Sequence, residues 1–140
     1  MAKEKVSIVI VGVGTDIVDV ERIEKLYVKQ GEAFVNRILS ETEIIEFEKQ
    51  TFPERFLAKR WALKEAVSKA LGTGFTDGVS FKEMTIGHKT SGQPILELTG
   101  STLEKAEVLC ITDWSISVSD EKLHAVAFVI AEGRASYSFL

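Results

Sequence analysis

One cysteine in 140 residues, Cys110, leaves the chain without an internal disulfide, and a reducing, cytoplasmic setting is expected. The longest apolar run, Ile8 to Val13, falls far short of the roughly 20 residues that span a bilayer, so no membrane insertion is expected. No basic segment followed by an apolar core and a small-residue cleavage site opens the sequence, which reads against a secretory leader. Proline occurs twice, and no repeat or low-complexity tract divides the chain, so residues 1–140 read as a single domain. Basic charge is not in excess either: the net charge of -4 argues against a nucleic-acid partner. No zinc site is expected at His88 or His124, and the absence of a G-x-S-x-G elbow leaves acyl-enzyme chemistry without support.

What is present is the make-up of an ordinary globular domain, 45% hydrophobic and 27% charged. Val6 to Val13 reads as a buried strand broken by Gly14, and Ile17 to Lys29 keeps helical apolar spacing with Asp16 as a candidate N-cap. Ser40 to Glu43, Thr51 to Glu54 and Ser101 to Glu104 have the capping-box spacing, which predicts three further helices. Pro53 and Gly72 bracket the central one. Beyond Gly78 the pattern becomes extended. One hairpin is predicted from Val79 to Leu98 and a second from Trp114 to Ala131, turning at Asp120. Residues 133–140 have no period and read as a candidate flexible tail. The whole is an α+β domain, helices packed on a mainly antiparallel sheet.

Two segments carry chemistry. GVGTDI, Gly12 to Ile17, lacks the third glycine of a dinucleotide loop, and no Walker sequence occurs anywhere. RFLAKRWALKEAVSKALGTG, Arg55 to Gly74, places Glu65, Ser68, Lys69 and Gly72 on one helical face and Phe56, Leu63, Val67 and Ala70 on the other. Taken alone, Glu65 and Lys69 fit an i, i+4 ion pair on a solvated surface, as Asp16 fits an N-cap. Taken together, Asp16 and Glu65 are two oxygen donors with Arg60, Lys64 and Lys69 nearby. That combination suits Mg²⁺, which takes few protein carboxylates and fills its octahedron with water and substrate phosphate. Arg22, Lys25 and Lys29, with Arg37 further on, form a basic stripe that suits an acidic partner or, diluted by Glu21 and Glu24, an ordinary mixed surface.

These two segments, with NRILSETEIIEF, GQPILEL and ISVSDEKLHAVAFVI, resemble the holo-acyl-carrier-protein synthase family of phosphopantetheinyl transferases from about Val11 to Glu132. The resemblance implies the 4'-phosphopantetheinyl transferase fold and Mg²⁺-dependent transfer of 4'-phosphopantetheine from coenzyme A to a serine of apo acyl carrier protein. It also implies release of 3',5'-ADP, a place in fatty acid biosynthesis, and a homotrimer with active sites between protomers. Asp16 and Glu65 match the family's metal ligands, and both, with Lys69, its catalytic set. Arg60, Lys64, Ser68, Lys69 and Gly72 match coenzyme A contacts. Arg22 matches the carrier-docking arginine, with Lys25, Lys29 and Arg37 beside it. Trp114 or Val118 is expected at the subunit interface. Trp61 stands in place of the usual phenylalanine, and Ser115 in place of a frequent histidine. Another Mg²⁺-dependent nucleotide enzyme and a non-catalytic module binding an acidic protein are the alternatives.

Overall fold

The computed structural model describes residues 3–72 and 78–139. Its elements are β1 (Lys3–Asp19), α1 (Val20–Gln30), α2 (Glu32–Ile38), α3 (Glu41–Phe47), α4 (Pro53–Ala70), a 3₁₀ turn (Phe81–Glu83), β2 (Met84–His88), β3 (Pro94–Leu98), α5 (Gly100–Val108), β4 (Ile111–Asp120) and β5 (His124–Phe139). β1, β5 and β4 form an antiparallel sheet in that order, and β2 and β3 form a separate hairpin. The fold is α+β, as the pattern of periods implies. Thr73 and Gly74, the end of the glycine-rich exit from α4, lie outside the described residues.

Several sequence expectations are corrected. β1 does not stop at Gly14; it continues to Asp19, and α1 begins at Val20, so Asp16 is a strand residue and not an N-cap. The reason is pairing: β5 runs opposite β1 from Lys3↔Phe139 to Asp19↔His124, with one irregularity between Ile10 and Gly12. The same pairing carries β5 through Phe139, where a flexible tail from residue 133 was the expectation. α2 has no counterpart in the sequence reading. Gly31, at φ +57°, ends α1 by donating its N–H to Tyr27 O at 2.7 Å and lets a new helix begin at once.

Of the three capping boxes only the first exists. Ser40 and Glu43 cap α3 reciprocally. α4 starts at Pro53, which puts Glu54 a residue too early to reach back to Thr51. α5 starts at Gly100, and its free amides are taken by a foreign carboxylate: Glu83 accepts from Ser101 N and Thr102 N, each at 3.1 Å.

α4 is the axis of the molecule. Leu57, Ala62, Leu63, Ala66 and Val67 are fully buried against the sheet and the other helices, but so are Lys64 and Ser68. The polar face expected at Glu65, Ser68, Lys69 and Gly72 is therefore narrower than the helical wheel suggests, since α4 is packed on nearly every side. Ile116, Ala127 and Val129 face this core, and Trp114 and Val118 pack against it from the same side of β4. Trp114 and Val118, expected at or beside a subunit interface, are thus partly buried within the one chain. The residues that point the other way are Ile17, Val126 and Phe128, 67%, 43% and 49% exposed.

Candidate functional site

The glycines of GVGTDI serve a close crossing, not a phosphate loop. A Cβ at Gly14 would fall on the carbonyl oxygen of Ala66 and within 3.0 Å of Ala70 N, and one at Gly12 would meet Ala70 O. Only glycine lets β1 run this close to α4. Two residues further along the same face of the strand comes Asp16, delivered to the flank of α4 that carries Glu65 and Lys69. The Lys69 ammonium donates to Asp16 Oδ1 at 3.1 Å and to Thr15 O at 2.9 Å. Strand and helix are tied at the point where the two carboxylates meet. The i, i+4 pairing of Glu65 with Lys69 that the sequence permits does not form; Asp16 takes the lysine instead.

Burial, and then the neighbouring charge of Asp16, pushes the Glu65 carboxyl above the ordinary carboxylate range, while Lys69 and Arg22 pull it back. A carboxyl whose charge is disfavoured by burial and by Asp16, with Lys69 half exposed nearby, makes a site that favours an added cation. Among the described residues no group of three His, Cys, Asp or Glu side chains assembles, so a protein-rich cage is absent there. A pair of carboxylates fits Mg²⁺, which keeps most of its shell for water and phosphate.

The remaining expected contacts divide. Arg60 and Lys64 are not at a ligand surface. Arg60 binds Glu43 Oε2 at 3.0 Å and Glu46 Oε2 at 3.2 Å, and Lys64 binds Glu43 Oε1 at 2.5 Å, Ile38 O at 2.7 Å and Phe81 O at 3.1 Å. Both are buried, and their donors are used inside the fold. Ser68 is buried as well, its hydroxyl turned back onto Glu65 O at 2.7 Å. Gly72, at φ +79°, is exposed where α4 ends.

On α1, Arg22, Lys25 and Lys29 border one shallow depression of about 430 Å³ with Asp19, Glu21 and Leu26. Lys25 is paired with Glu21 at 3.1 Å. Arg37 joins this surface from α2, held by Gln30 Oε1 at 3.1 Å and lying over the Phe34 ring at 5.5 Å. Sequence reasoning missed Glu43, whose only signal was its place in a capping box, and Glu132, which accepts a hydrogen bond from Ser115 Oγ at 2.9 Å. The serine that replaces a histidine is therefore tied to β5.

Known proteins are similar to this chain over most of its length. A model of the 4'-phosphopantetheinyl transferase superfamily matches residues 12–129. A holo-acyl-carrier-protein synthase of Hydrogenovibrio crunogenus is 59% identical over 126 residues, 90% of this chain and 99% of that protein. The crystal structure of the synthase from Neisseria meningitidis is similar with a TM-score of 0.83 at 43% identity, covering 88% of this chain and 98% of that one. The Helicobacter pylori synthase, crystallised in complex with coenzyme A, has a TM-score of 0.74 at 33% identity, covering 85% and 98%. With most of its length matched in this way, the chain belongs to the 4'-phosphopantetheinyl transferase superfamily and, within it, to the holo-acyl-carrier-protein synthase family of enzymes.

Proposed function

We propose that this chain transfers the 4'-phosphopantetheine group from coenzyme A to a serine of apo acyl carrier protein, with Mg²⁺, releasing 3',5'-ADP, in support of fatty acid biosynthesis in the cytoplasm. The observation that carries the reading is the convergence of Asp16, Glu65 and Lys69 where β1 crosses α4. Relatives named for this activity, one of them crystallised with coenzyme A, support the choice of substrates.

Asp16 and Glu65 would hold the metal. When bound, Mg²⁺ supplies positive charge to phosphate oxygens. Phosphoryl transfer depends mostly on positioning and charge stabilisation, and the chain's own residues answer to both. Lys69, half exposed and within reach of Asp16, neutralises charge that develops on the departing phosphate. The carrier's serine oxygen forms a bond to the pantetheine-side phosphorus as the phosphorus–oxygen bond to the ADP portion breaks. The serine proton is taken up by a neighbouring carboxylate or by water. Arg22, Lys25, Lys29 and Arg37 form the surface that meets the acidic carrier. Arg60, Lys64 and Ser68 support α4 from within.

The outward face of the sheet bears on assembly. Val13, Ile17, Val126 and Phe128 are each 43% exposed or more, a grouping suited to a neighbouring protomer. A homotrimer with sites between protomers would cover it. The test is to incubate the protein with coenzyme A, Mg²⁺ and an apo carrier, weigh the carrier by mass spectrometry, and follow mass and activity on dilution by light scattering. A phosphopantetheine adduct and activity that falls with dissociation are expected. An unmodified carrier would overturn the reaction, and a fully active monomer would overturn the shared site.

A further inference from the structure

Arg22 makes no ion pair among the described residues, although it is exposed on α1. Its guanidinium carbon lies 5.7 Å from the centroid of the Trp61 ring. That ring is itself fixed. Trp61 stacks on Phe34 with centroids 6.0 Å apart at 23° and meets Phe81 edge-on at 5.5 Å and 75°. Phe34 is fully buried and Phe81 nearly so, so the indole has little room to turn. Trp61 also precedes Glu65 by four residues on α4, which places it one turn from the carboxylate pair on the same helical face.

A guanidinium resting on an aromatic face leaves its in-plane N–H donors free, and those are the donors that receive a carboxylate side-on. The indole is the strongest such platform among the aromatic side chains. An arginine held in this way meets its partner with its rotamer already chosen, so less ordering remains at the moment of binding. We propose that Trp61 is a positioning residue for carrier recognition: its indole fixes the guanidinium of Arg22 to receive a carboxylate of the acidic carrier, one helical turn from Glu65. Phenylalanine at this position, which the family resemblance leads one to expect, would give a weaker hold. Arg37 over Phe34 extends the same ledge. The proposal rests on the docking role assigned to Arg22 above.

Steady-state transfer to a purified apo acyl carrier protein tests it, with the KM for the carrier and for coenzyme A measured separately. Arg22→Gln is expected to raise the carrier KM about tenfold. Trp61→Leu is expected to raise it about fivefold and Trp61→Phe about twofold, within the range of a cation–π contact. The KM for coenzyme A should stay within about twofold throughout, because these residues do not face the nucleotide in this reading. The decisive variant is the double one. Trp61→Leu added to Arg22→Gln should cost nothing further, because the indole acts only through the arginine. Multiplying effects, or an equal rise in the coenzyme A KM, would overturn the proposal and leave Trp61 as core packing. If Trp61→Leu does not fold, Trp61→Phe with and without Arg22→Gln decides the same question. An unchanged carrier KM in Arg22→Gln alone would sink the docking role itself, which is a different failure.

Discussion

α4 carries two groups of opposite charges side by side, and they differ in what they leave unsatisfied. In the inner group Glu43 receives Arg60, Lys64, Ser40 N and Ile86 N, while Lys64 also reaches two backbone carbonyls. No buried side-chain polar atom among the described residues lacks a partner. In the outer group burial and then the charge of Asp16 disfavour ionisation of Glu65, and Lys69 is 51% exposed. Both groups combine carboxylates with a lysine of α4, and the helical spacing is similar, Arg60 to Lys64 and Glu65 to Lys69. Partner count and access to solvent separate a strut, which holds α3, α4 and β2 together, from a site that has capacity left for a ligand.

The largest effect should come from breaking the outer group. Asp16→Ala or Glu65→Ala is expected to slow transfer roughly a thousandfold, about 4 kcal/mol of transition-state stabilisation, with the unfolding midpoint nearly unchanged. Turnover assays beside thermal denaturation check this, and near-normal turnover at low Mg²⁺ would put the metal elsewhere. Breaking the inner group should do the reverse. Glu43→Gln leaves Arg60 and Lys64 buried without a full counter-charge, and the expected loss is about 3 kcal/mol of unfolding free energy. Denaturant titration measures it; unchanged stability together with lost activity would move Glu43 into the site.

That division was only partly legible in the sequence. Asp16, Glu65 and Lys69 stand out because two oxygen donors and a cation in separate motifs suit a metal ion and a phosphate. Arg60 and Lys64 stand out equally but are buried and bonded within the fold, because a helical wheel does not show that α3 and β2 cover their side. Burial of a cation depends on a carboxylate 17 or 21 residues away, and Glu43 had already been explained by its cap. The hairpins were legible from alternation and turns. Strand ends were not: β1 outruns its apolar stretch because β5 is long enough to pair with it to Asp19. Gly12 and Gly14 lack the third glycine of a dinucleotide loop, and nothing in the sequence alone shows that they serve the close approach of α4 instead.

The glycine reading gives an intermediate effect that bears on the outer group alone. Gly14→Ala must push β1 away from Ala66, and the expected cost is about 1 to 3 kcal/mol in stability. Activity should fall further than stability, because Asp16 moves with the strand. Equal activity in a folded Gly14→Ala variant, measured beside its unfolding free energy, would mean that the crossing does not set the carboxylate geometry.

The smallest effect sharpens the comparison through pH. Burial lowers the pKa of Lys64 from its ordinary value of 10.5 to about 8, and Glu43 only partly opposes that shift. In the unfolded chain the amine keeps its proton up to about pH 10.5, whereas the folded protein releases it from about pH 8. Between those values the unfolded state binds more protons, so this group makes stability rise with pH. Below pH 8 both states hold the proton and the contribution is flat. The rise from pH 8 to 9 is on the order of 1 kcal/mol, since a full proton difference is worth about 1.4 kcal/mol per pH unit. Lys64→Met removes this proton from both states. Unfolding free energies of the two proteins, measured from pH 7 to 9, should therefore diverge in favour of the wild type above pH 8. Parallel curves would mean that the interior holds the charged ammonium as readily as water does, and the contrast between a closed strut and an open site would lose its electrostatic basis.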